Sequence, residues 1–166
     1  MTDSTSAADI AAIHSALATY VIAIDCRDLG LLEECFAADG IVEIAFMGTF
    51  TRDEYAAMAT KSLAAFDATH HHLSLPALRI DGDRASARTY FTAQHTIAAL
   101  APQPHFILGG WYDDQLERRD GRWLIVRKQG TTVWADGNPE VLGGAFPPGA
   151  APRGAGHQAP AWLRQR

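Results

Sequence analysis

The chain changes its hydrophobic period once, near residue 67, and this change constrains the fold more than any other feature. Before it, apolar residues recur every three or four positions, as in amphipathic helices. After it, four segments are strand-like: HHHLSLPALRI, RASARTYFTAQHTIAAL, HFILGGWYDDQLERR and RWLIVRKQGTTVWA. The turn sequences DGD and DG follow the first and third segments. The sequence therefore predicts an α+β fold in which helices come first and a curved antiparallel meander follows.

The first half of the chain predicts three helices and one interrupted strand. Helical spacing runs through ADIAAIHSALATYVIAID and ends at Asp25. DLGLLEECFAADG predicts a short second helix closed by its final DG, and IVEIAFMGTF predicts a strand bent at Gly48. Thr51 and Glu54 have the capping-box form and predict the start of a third helix that continues to Phe66.

Composition and charge limit the classes of partner. The chain of 166 residues is 48% hydrophobic and 20% charged, which is typical of one globular domain. Its 14 basic residues against 19 acidic ones leave no dominant basic face, so we expect no nucleic-acid partner and no anionic membrane partner.

The N-terminal sequence, the length of the apolar runs and the cysteines indicate the cellular compartment. The N-terminus lacks a basic region followed by an apolar one, and no apolar run approaches the roughly 20 residues of a membrane span. A cytoplasmic protein is therefore expected. Cys26 and Cys35 lie in helix-like sequence and are expected to be buried free thiols rather than zinc ligands or a disulfide.

The C-terminal part differs in composition from the rest. We expect a folded domain over residues 1–142 and a Gly/Pro/Ala-rich tail over residues 143–166. The tail is expected either to lie over the domain or a neighbouring subunit or to be disordered, and Trp162 and Leu163 favour docking. This tail and a wide sheet face predict a homodimer or homotrimer.

Three consecutive histidines in DATHHHLSLP are the candidate chemical motif. The period of a strand places His71 and Leu73 on one face and His70 and His72 on the other. From the residues alone, either His71 or the flanking pair faces the interior. Imidazole suits proton abstraction because its ordinary pKa is about 6.5.

Helices followed by a strongly bent sheet form a cone with an apolar interior open at one end. The order of elements resembles SnoaL-like proteins of the nuclear transport factor 2 (NTF2-like) superfamily, as do the motifs YVIAID, THHHLSLP, QHTI and GGWYDDQLERRDGRW followed by VWADG. Members include scytalone dehydratase, bile-acid dehydratase, dehydrochlorinases and polyketide cyclases. The resemblance covers about residues 8 to 142 and implies three N-terminal helices packed on a strongly curved, mixed, mainly antiparallel sheet.

The resemblance also implies a catalytic pair. In the dehydratase members an Asp at the end of helix one pairs with a His at the start of the first long strand, and the matching residues here are Asp25 and His71. His71 would be the base and Asp25 would orient it. His95, about one hairpin away, matches a second His that protonates a leaving oxygen or holds the substrate. Alternatively, Asp25 only caps a helix and the histidines only belong to strands.

Further residues are candidates for substrate contact. Tyr20 matches a tyrosine of the bile-acid enzyme and would donate a hydrogen bond to a developing enolate, with core packing as the alternative. Tyr112 and Trp111 follow a Gly pair on a strand expected to line the cone, and that pair either admits substrate or lets the sheet bend, with bending favoured. For Trp111, packing is favoured over contact with substrate.

The chain also departs from the known members. Gly110 and Tyr112 stand where scytalone dehydratase has Ser and Asn. Thr131 or Thr132 stands near the position of a late-strand Arg in the bile-acid and dehydrochlorinase members. Identity with any of these three enzymes is not expected.

The leading prediction is a cofactor-independent lyase, of dehydratase type, that takes a proton from a small apolar cyclic, aromatic or polyketide-like substrate. An isomerase, cyclase or carbon–carbon lyase would use the same groups. Asp25, His71 and His95 also have the composition of a two-His, one-carboxylate metal site. A non-catalytic binding or assembly subunit is the remaining class.

Overall fold

The computed structural model describes residues 6–44, 46–144 and 159–164. The first half contains α1 (Ala7–Asp25), α2 (Leu32–Cys35), β1 (Phe36–Ile44), β2 (Gly48–Thr51) and α3 (Arg52–Leu63). The second half contains β3 (Ala68–Leu73), β4 (Ala77–Asp81), β5 (Arg84–Thr96), β6 (His105–Arg119) and β7 (Arg122–Gly137). Single 3₁₀ turns cover Leu29–Leu31, Ala98–Leu100, Pro139–Leu142 and Ala161–Leu163.

The seven described strands form one curved, mixed sheet, with six in the order β2-β1-β7-β6-β5-β3 and β4 paired to β5 beside β3. All neighbours are antiparallel except β1 and β7, which are parallel. The predicted first segment of the meander is two strands, because β3 and β4 pair with different halves of β5 on either side of Pro76. The predicted DG turns join β4 to β5 and β6 to β7, with φ of 57° at Gly82 and 77° at Gly121.

The helices do not form one N-terminal block, since β1 and β2 lie between α2 and α3. The second helix ends at Cys35, and the predicted DG end lies inside β1. A Cβ at Gly40 would lie 2.9 Å from the Ala37 carbonyl oxygen, and the pairing of β1 with β7 shifts between Phe36 and Ile41. This glycine therefore permits a bulge in a strand and does not end a helix.

The core lies between α1 and the sheet, and it explains the apolar character of α1. α1 has a mean hydropathy of 1.6 over 18 residues, so it is long and apolar enough to cross a membrane. The expectation that no apolar run approaches this length is therefore wrong. A buried core helix can have the same length and hydropathy. Ile13 and Tyr20 of α1 belong to one buried cluster with Phe36 and Ile125 of the sheet.

The two cysteines differ in exposure. Cys35 is buried, and burial raises the pKa of its thiol to about 12, against the opposing charge of Lys128. Cys26 is exposed, so the expectation of two buried thiols is wrong for this residue. It caps the C-terminus of α1, beyond the face that packs on the sheet.

Close approaches between strands explain the Gly pair of β6. A Cβ at Gly109 would lie 2.0 Å from the Trp134 ring, and a Cβ at Gly110 would lie 1.9 Å from the Thr131 carbonyl oxygen. The pairing of β6 with β7 shifts between these two glycines. The pair therefore accommodates a bulge, which agrees with the interpretation that it lets the sheet bend.

The tail is described only in part. Residues 145–158 and 165–166, which include most of the predicted tail, lie outside the described residues. The carbonyl oxygen of Trp162 accepts a hydrogen bond of 3.3 Å from Arg79 Nη1 on β4. This segment therefore contacts the domain near the outer strands.

The close approach at Gly110 predicts a stability effect. Gly110→Ala should lower the free energy of unfolding by about 1–3 kcal/mol, because the added methyl group meets a backbone oxygen that cannot rotate away. Urea denaturation measures the change. Gly30→Ala is the control, since its nearest atom is an Asp28 side-chain oxygen at 3.4 Å. An equal loss in both variants would contradict the explanation.

Candidate active site

A cavity of about 500 Å³ lies between the sheet, α1 and α3. This volume is in the range of small-molecule sites. Most of its wall is apolar, and the polar side chains on it are Tyr20, Tyr55, Ser62, His71, His95, Tyr112 and Thr132. No Lys, Arg, Asp or Glu from the described ranges lines it. A ligand inside would therefore meet a few hydroxyl and imidazole groups in an otherwise apolar container.

Asp25 and His71 are in direct contact at the edge of this cavity. His71 Nδ1 lies 2.7 Å from Asp25 Oδ1, and the His71 backbone N–H donates a bond of 2.7 Å to Oδ2. Thr69 Oγ1 donates a third bond, of 3.0 Å, to Oδ1. The side chain of Asp25 is only 20% exposed, and that of His71 only 8%. The carboxylate is thus held by three donors while the imidazole reaches the cavity wall.

The strand order explains this arrangement. β3 lies at the edge of the sheet, where among the described strands it pairs with β5 alone. An edge strand leaves every second N–H without a strand partner, and Asp25 at the end of α1 accepts the one from His71. Thr69 and His71 are two residues apart, so both side chains point to the same face. His70 and His72 are exposed, as strand alternation predicts.

The hydrogen bonds determine the tautomer of His71. Burial alone would raise the pKa of Asp25, but the bonds from His71 and Thr69 outweigh it and the pKa lies below its ordinary value. Asp25 is therefore an ionised acceptor at neutral pH, and Nδ1 of His71 carries the proton that it donates. In the neutral ring Nε2 is then the free acceptor, which is the state required of a base.

His95 is the second histidine of the cavity and is held in its neutral form. Its ring centre is 5.9 Å from that of His71 and 5.0 Å from that of Phe66. Burial, with the nearby charge of His71, lowers its pKa to about 4. Within the described residues, its buried Nδ1 has no hydrogen-bond partner. At neutral pH this imidazole can exchange hydrogen bonds with a ligand but does not carry an acid proton.

Three tyrosines converge on the same cavity. The hydroxyl groups of Tyr20 and Tyr55 share a hydrogen bond of 2.8 Å. Tyr112 packs edge-on against Tyr20 and stacks on Phe91, with ring centres 5.6 Å and 4.5 Å apart. A hydrogen bond with Tyr20 also acts on the Tyr112 hydroxyl group, so the three hydroxyl groups form one cluster at the cavity wall.

Trp111 is not among the residues that line the cavity. It contacts Arg88 and Tyr90 on the other face of the sheet, because it precedes inward-facing Tyr112 on the same strand. The expectation that Trp111 contacts substrate is therefore wrong. Tyr20 and Tyr112 do line the cavity, and their roles toward a ligand stay predictions.

Comparison with known proteins identifies the family. The SnoaL-like domain matches residues 5–129. The chain belongs to the SnoaL-like family. An uncharacterized protein of Mycobacterium tuberculosis is 29% identical over 118 residues, which are 70% of this chain and 80% of that protein.

Solved structures of similar proteins have the same NTF2-like fold. A hexachlorocyclohexane dehydrochlorinase from Novosphingobium barchaimii is 18% identical, with a TM-score of 0.71, over 79% of this chain and 90% of the other. A candidate scytalone dehydratase from Novosphingobium aromaticivorans is 25% identical, with a TM-score of 0.70, over 79% and 88%.

Sequence reasoning missed a buried ion pair in this SnoaL-like domain. Lys128 Nζ lies 2.8 Å from Asp114 Oδ1, and the side chains are 1% and 0% exposed. Ile125 also faces inward, so plain alternation would turn Lys128 outward. The pairing of β6 with β7 shifts by one residue at Val126, and this bulge reverses the face. No sequence signal marked the bulge.

Sequence reasoning also left Tyr55 out of the site. Its place in the helical stripe of α3 indicated core packing, and only the structure brings its hydroxyl to Tyr20. The metal hypothesis gains no support, since the described parts of the chain contain no group of three or more His, Cys, Asp or Glu side chains that could hold a metal.

The buried state of His95 predicts a pH effect on stability. The unfolded chain binds a proton at this histidine below about pH 6.5, whereas the folded protein excludes it down to about pH 4. The free energy of unfolding should therefore fall as the pH falls through this window, and His95 should contribute no such slope above it. NMR titration of the imidazole and urea denaturation at several pH values measure both effects.

Two variants serve as tests of this pH effect. His95→Asn should flatten the dependence of the free energy of unfolding on pH, whereas His70→Gln, at an exposed site, should leave it unchanged. A His95 that titrates near pH 6.5 would contradict this account.

Proposed function

We propose that this SnoaL-like protein is a cofactor-independent acid–base lyase that removes a proton and a leaving group from a small, largely apolar molecule. The observation that carries the proposal is the hydrogen-bonded pair of Asp25 and His71 at the wall of an apolar cavity. A carboxylate that holds Nδ1 leaves Nε2 as the base and stabilises the imidazolium that forms. Dehydration is the preferred reaction.

In the proposed reaction, Nε2 of His71 takes a proton from a carbon next to a carbonyl group. The electrons of the broken C–H bond move toward the carbonyl oxygen and form an enolate. The carbonyl group then re-forms, and the enolate electrons make a carbon–carbon double bond to the neighbouring carbon as its bond to a hydroxyl group breaks. The imidazolium of His71 returns its proton to the departing hydroxide, so that water leaves and the base is restored. The substrate supplies its own electron sink, and the atoms and electrons balance without a cofactor.

The remaining polar groups of the cavity have distinct proposed roles. His95 is neutral near pH 7, so it would orient the leaving oxygen through a hydrogen bond and would not protonate it. A hydroxyl group of the pair formed by Tyr20 and Tyr55 would donate a hydrogen bond to the carbonyl oxygen as negative charge develops there. Tyr112 would form part of the apolar and aromatic wall beside them.

The structural neighbours support an elimination. A dehydrochlorinase removes hydrogen chloride and a dehydratase removes water, and both names occur among proteins that share this fold. Each reaction needs a base beside an apolar pocket. An isomerase, a cyclase or a carbon–carbon lyase would start with the same proton abstraction and differ only in what the electrons do next.

Proton abstraction can be tested before the natural substrate is known. Cyclic β-hydroxy ketones are incubated with the protein in D₂O, where NMR detects deuterium at the carbon next to the carbonyl group and absorbance detects a conjugated enone. Enone formation supports a dehydratase, and exchange alone supports the isomerase or cyclase alternative. Absence of both with every ketone would count against an acid–base enzyme and favour a binding subunit.

With a reactive ketone, the two residues of the pair should behave as one unit. His71→Ala should lower turnover by about 10² to 10⁴, the usual range for a lost general base. Asp25→Asn should also lower it, because an amide can hold the wrong tautomer and offers no charge to the imidazolium. The losses should not add in the double variant. His70→Ala and His72→Ala are matched controls on the exposed face and should keep near-normal turnover, whereas normal turnover in His71→Ala would overturn the assignment.

A further inference from the structure

The buried ion pair of Lys128 and Asp114 has no part in the proposed reaction steps. Neither side chain lines the cavity, and both are almost completely buried. Stability alone is a weak reason for such a pair, because apolar residues of similar volume are often equally or more stabilising at buried positions. The contacts of the ammonium group indicate a different reason.

Lys128 lies directly behind the aromatic wall of the cavity. Its Nζ is 4.3 Å from the ring centre of Tyr20 and 4.3 Å from that of Tyr112. The two rings are nearly perpendicular, at 83°, and both also line the cavity. A cation at this distance is attracted to the face of each ring, so it holds both rings in place.

The charge also acts through the rings. Water is excluded from this layer, so a charge there interacts more strongly with its surroundings than a charge on the surface. Burial raises the pKa of Tyr20 and Tyr112, and the charge of Asp114 adds to the rise. Within the ion pair, the Lys128 ammonium is the group that lies over both rings, and a positive charge favours negative charge on a nearby oxygen.

We propose that Lys128 is a positioning residue that fixes the rings of Tyr20 and Tyr112 and supplies positive potential behind them, so that the cavity prefers a ligand oxygen with negative charge over a neutral one. Asp114 anchors the ammonium group from the side of the core. The inference deepens the proposed function and rests on it, since an enolate oxygen is where the proposed reaction develops charge.

Two small probes of similar shape test the preference without turnover. 4-Nitrophenol, at a pH where it is ionised in solution, supplies a negative oxygen, and 4-nitroanisole supplies a neutral one. Dissociation constants are measured by calorimetry, and the absorbance of the bound phenol reports its ionisation. The wild-type protein should bind the phenolate more tightly than the ether.

The variant Lys128→Met/Asp114→Asn removes both charges and nearly keeps the volume of each side chain. It should bind the phenolate about tenfold more weakly than the wild type does, with little change in affinity for the ether. Unchanged ether binding and circular dichroism show that the cavity has kept its shape, which separates lost potential from lost structure. Lys128→Met is the second variant: it removes only the cation, and the buried carboxyl group of Asp114, whose pKa burial already raises, then takes up a proton. Its phenolate affinity should fall as in the double variant.

Three results would overturn the proposal: a wild-type protein that binds both probes alike or neither, a double variant that keeps the preference for phenolate, or a Lys128→Met protein that keeps it. The last result decides the matter even if the double variant does not fold. Because binding is measured without turnover, a failure to find lyase activity leaves this test readable, and the two proposals can fail separately.

Discussion

The carboxylate of Asp25 joins the end of α1 to the open edge of the sheet, and the position of the whole site depends on this contact. It accepts a hydrogen bond from the backbone N–H of His71, which an edge strand cannot pair within the sheet. It also binds the side chains of Thr69 and His71 in the same strand. The interaction that completes the hydrogen bonding of β3 is therefore also the one that orients the imidazole. The Asp25 carboxylate thus positions both β3 and the imidazole of His71.

Charge is arranged in layers around the cavity. In the described chain the lining is uncharged, and the charged groups stand one layer behind it, with Asp25 behind His71 and Lys128 with Asp114 behind the tyrosines. This arrangement keeps the cavity wall apolar, while the charged groups behind it orient and polarise the polar side chains of the wall. Preorganised groups of this kind favour developing charge more than they favour a neutral ligand, because they need no rearrangement during the reaction.

The two histidines of the cavity illustrate how environment assigns roles to equal side chains. His71 has a carboxylate on Nδ1, which fixes the orientation of the ring and leaves Nε2 as the acceptor required of a base. His95 has no such bond on its buried Nδ1 among the described residues, and burial keeps it neutral. Two titratable groups whose environments differ in this way are the usual basis for separate functions within one site.

Much of the fold and part of the site were readable in the sequence, because helices and strands impose periods of 3.6 and two on neighbouring residues. These periods predicted the long helix that ends at Asp25, the strand-rich second half and the separation of His71 from its exposed neighbours. The family resemblance supplied the pairing of Asp25 with His71, which helix and strand periods alone left open. Only the tertiary structure decided that a bulge turns Lys128 inward, that Trp111 lies outside the cavity and that His95 is buried deeply enough to stay neutral. Bulges, sheet faces and depth of burial depend on residues far apart in the chain, so the periodicity of neighbouring residues does not predict them.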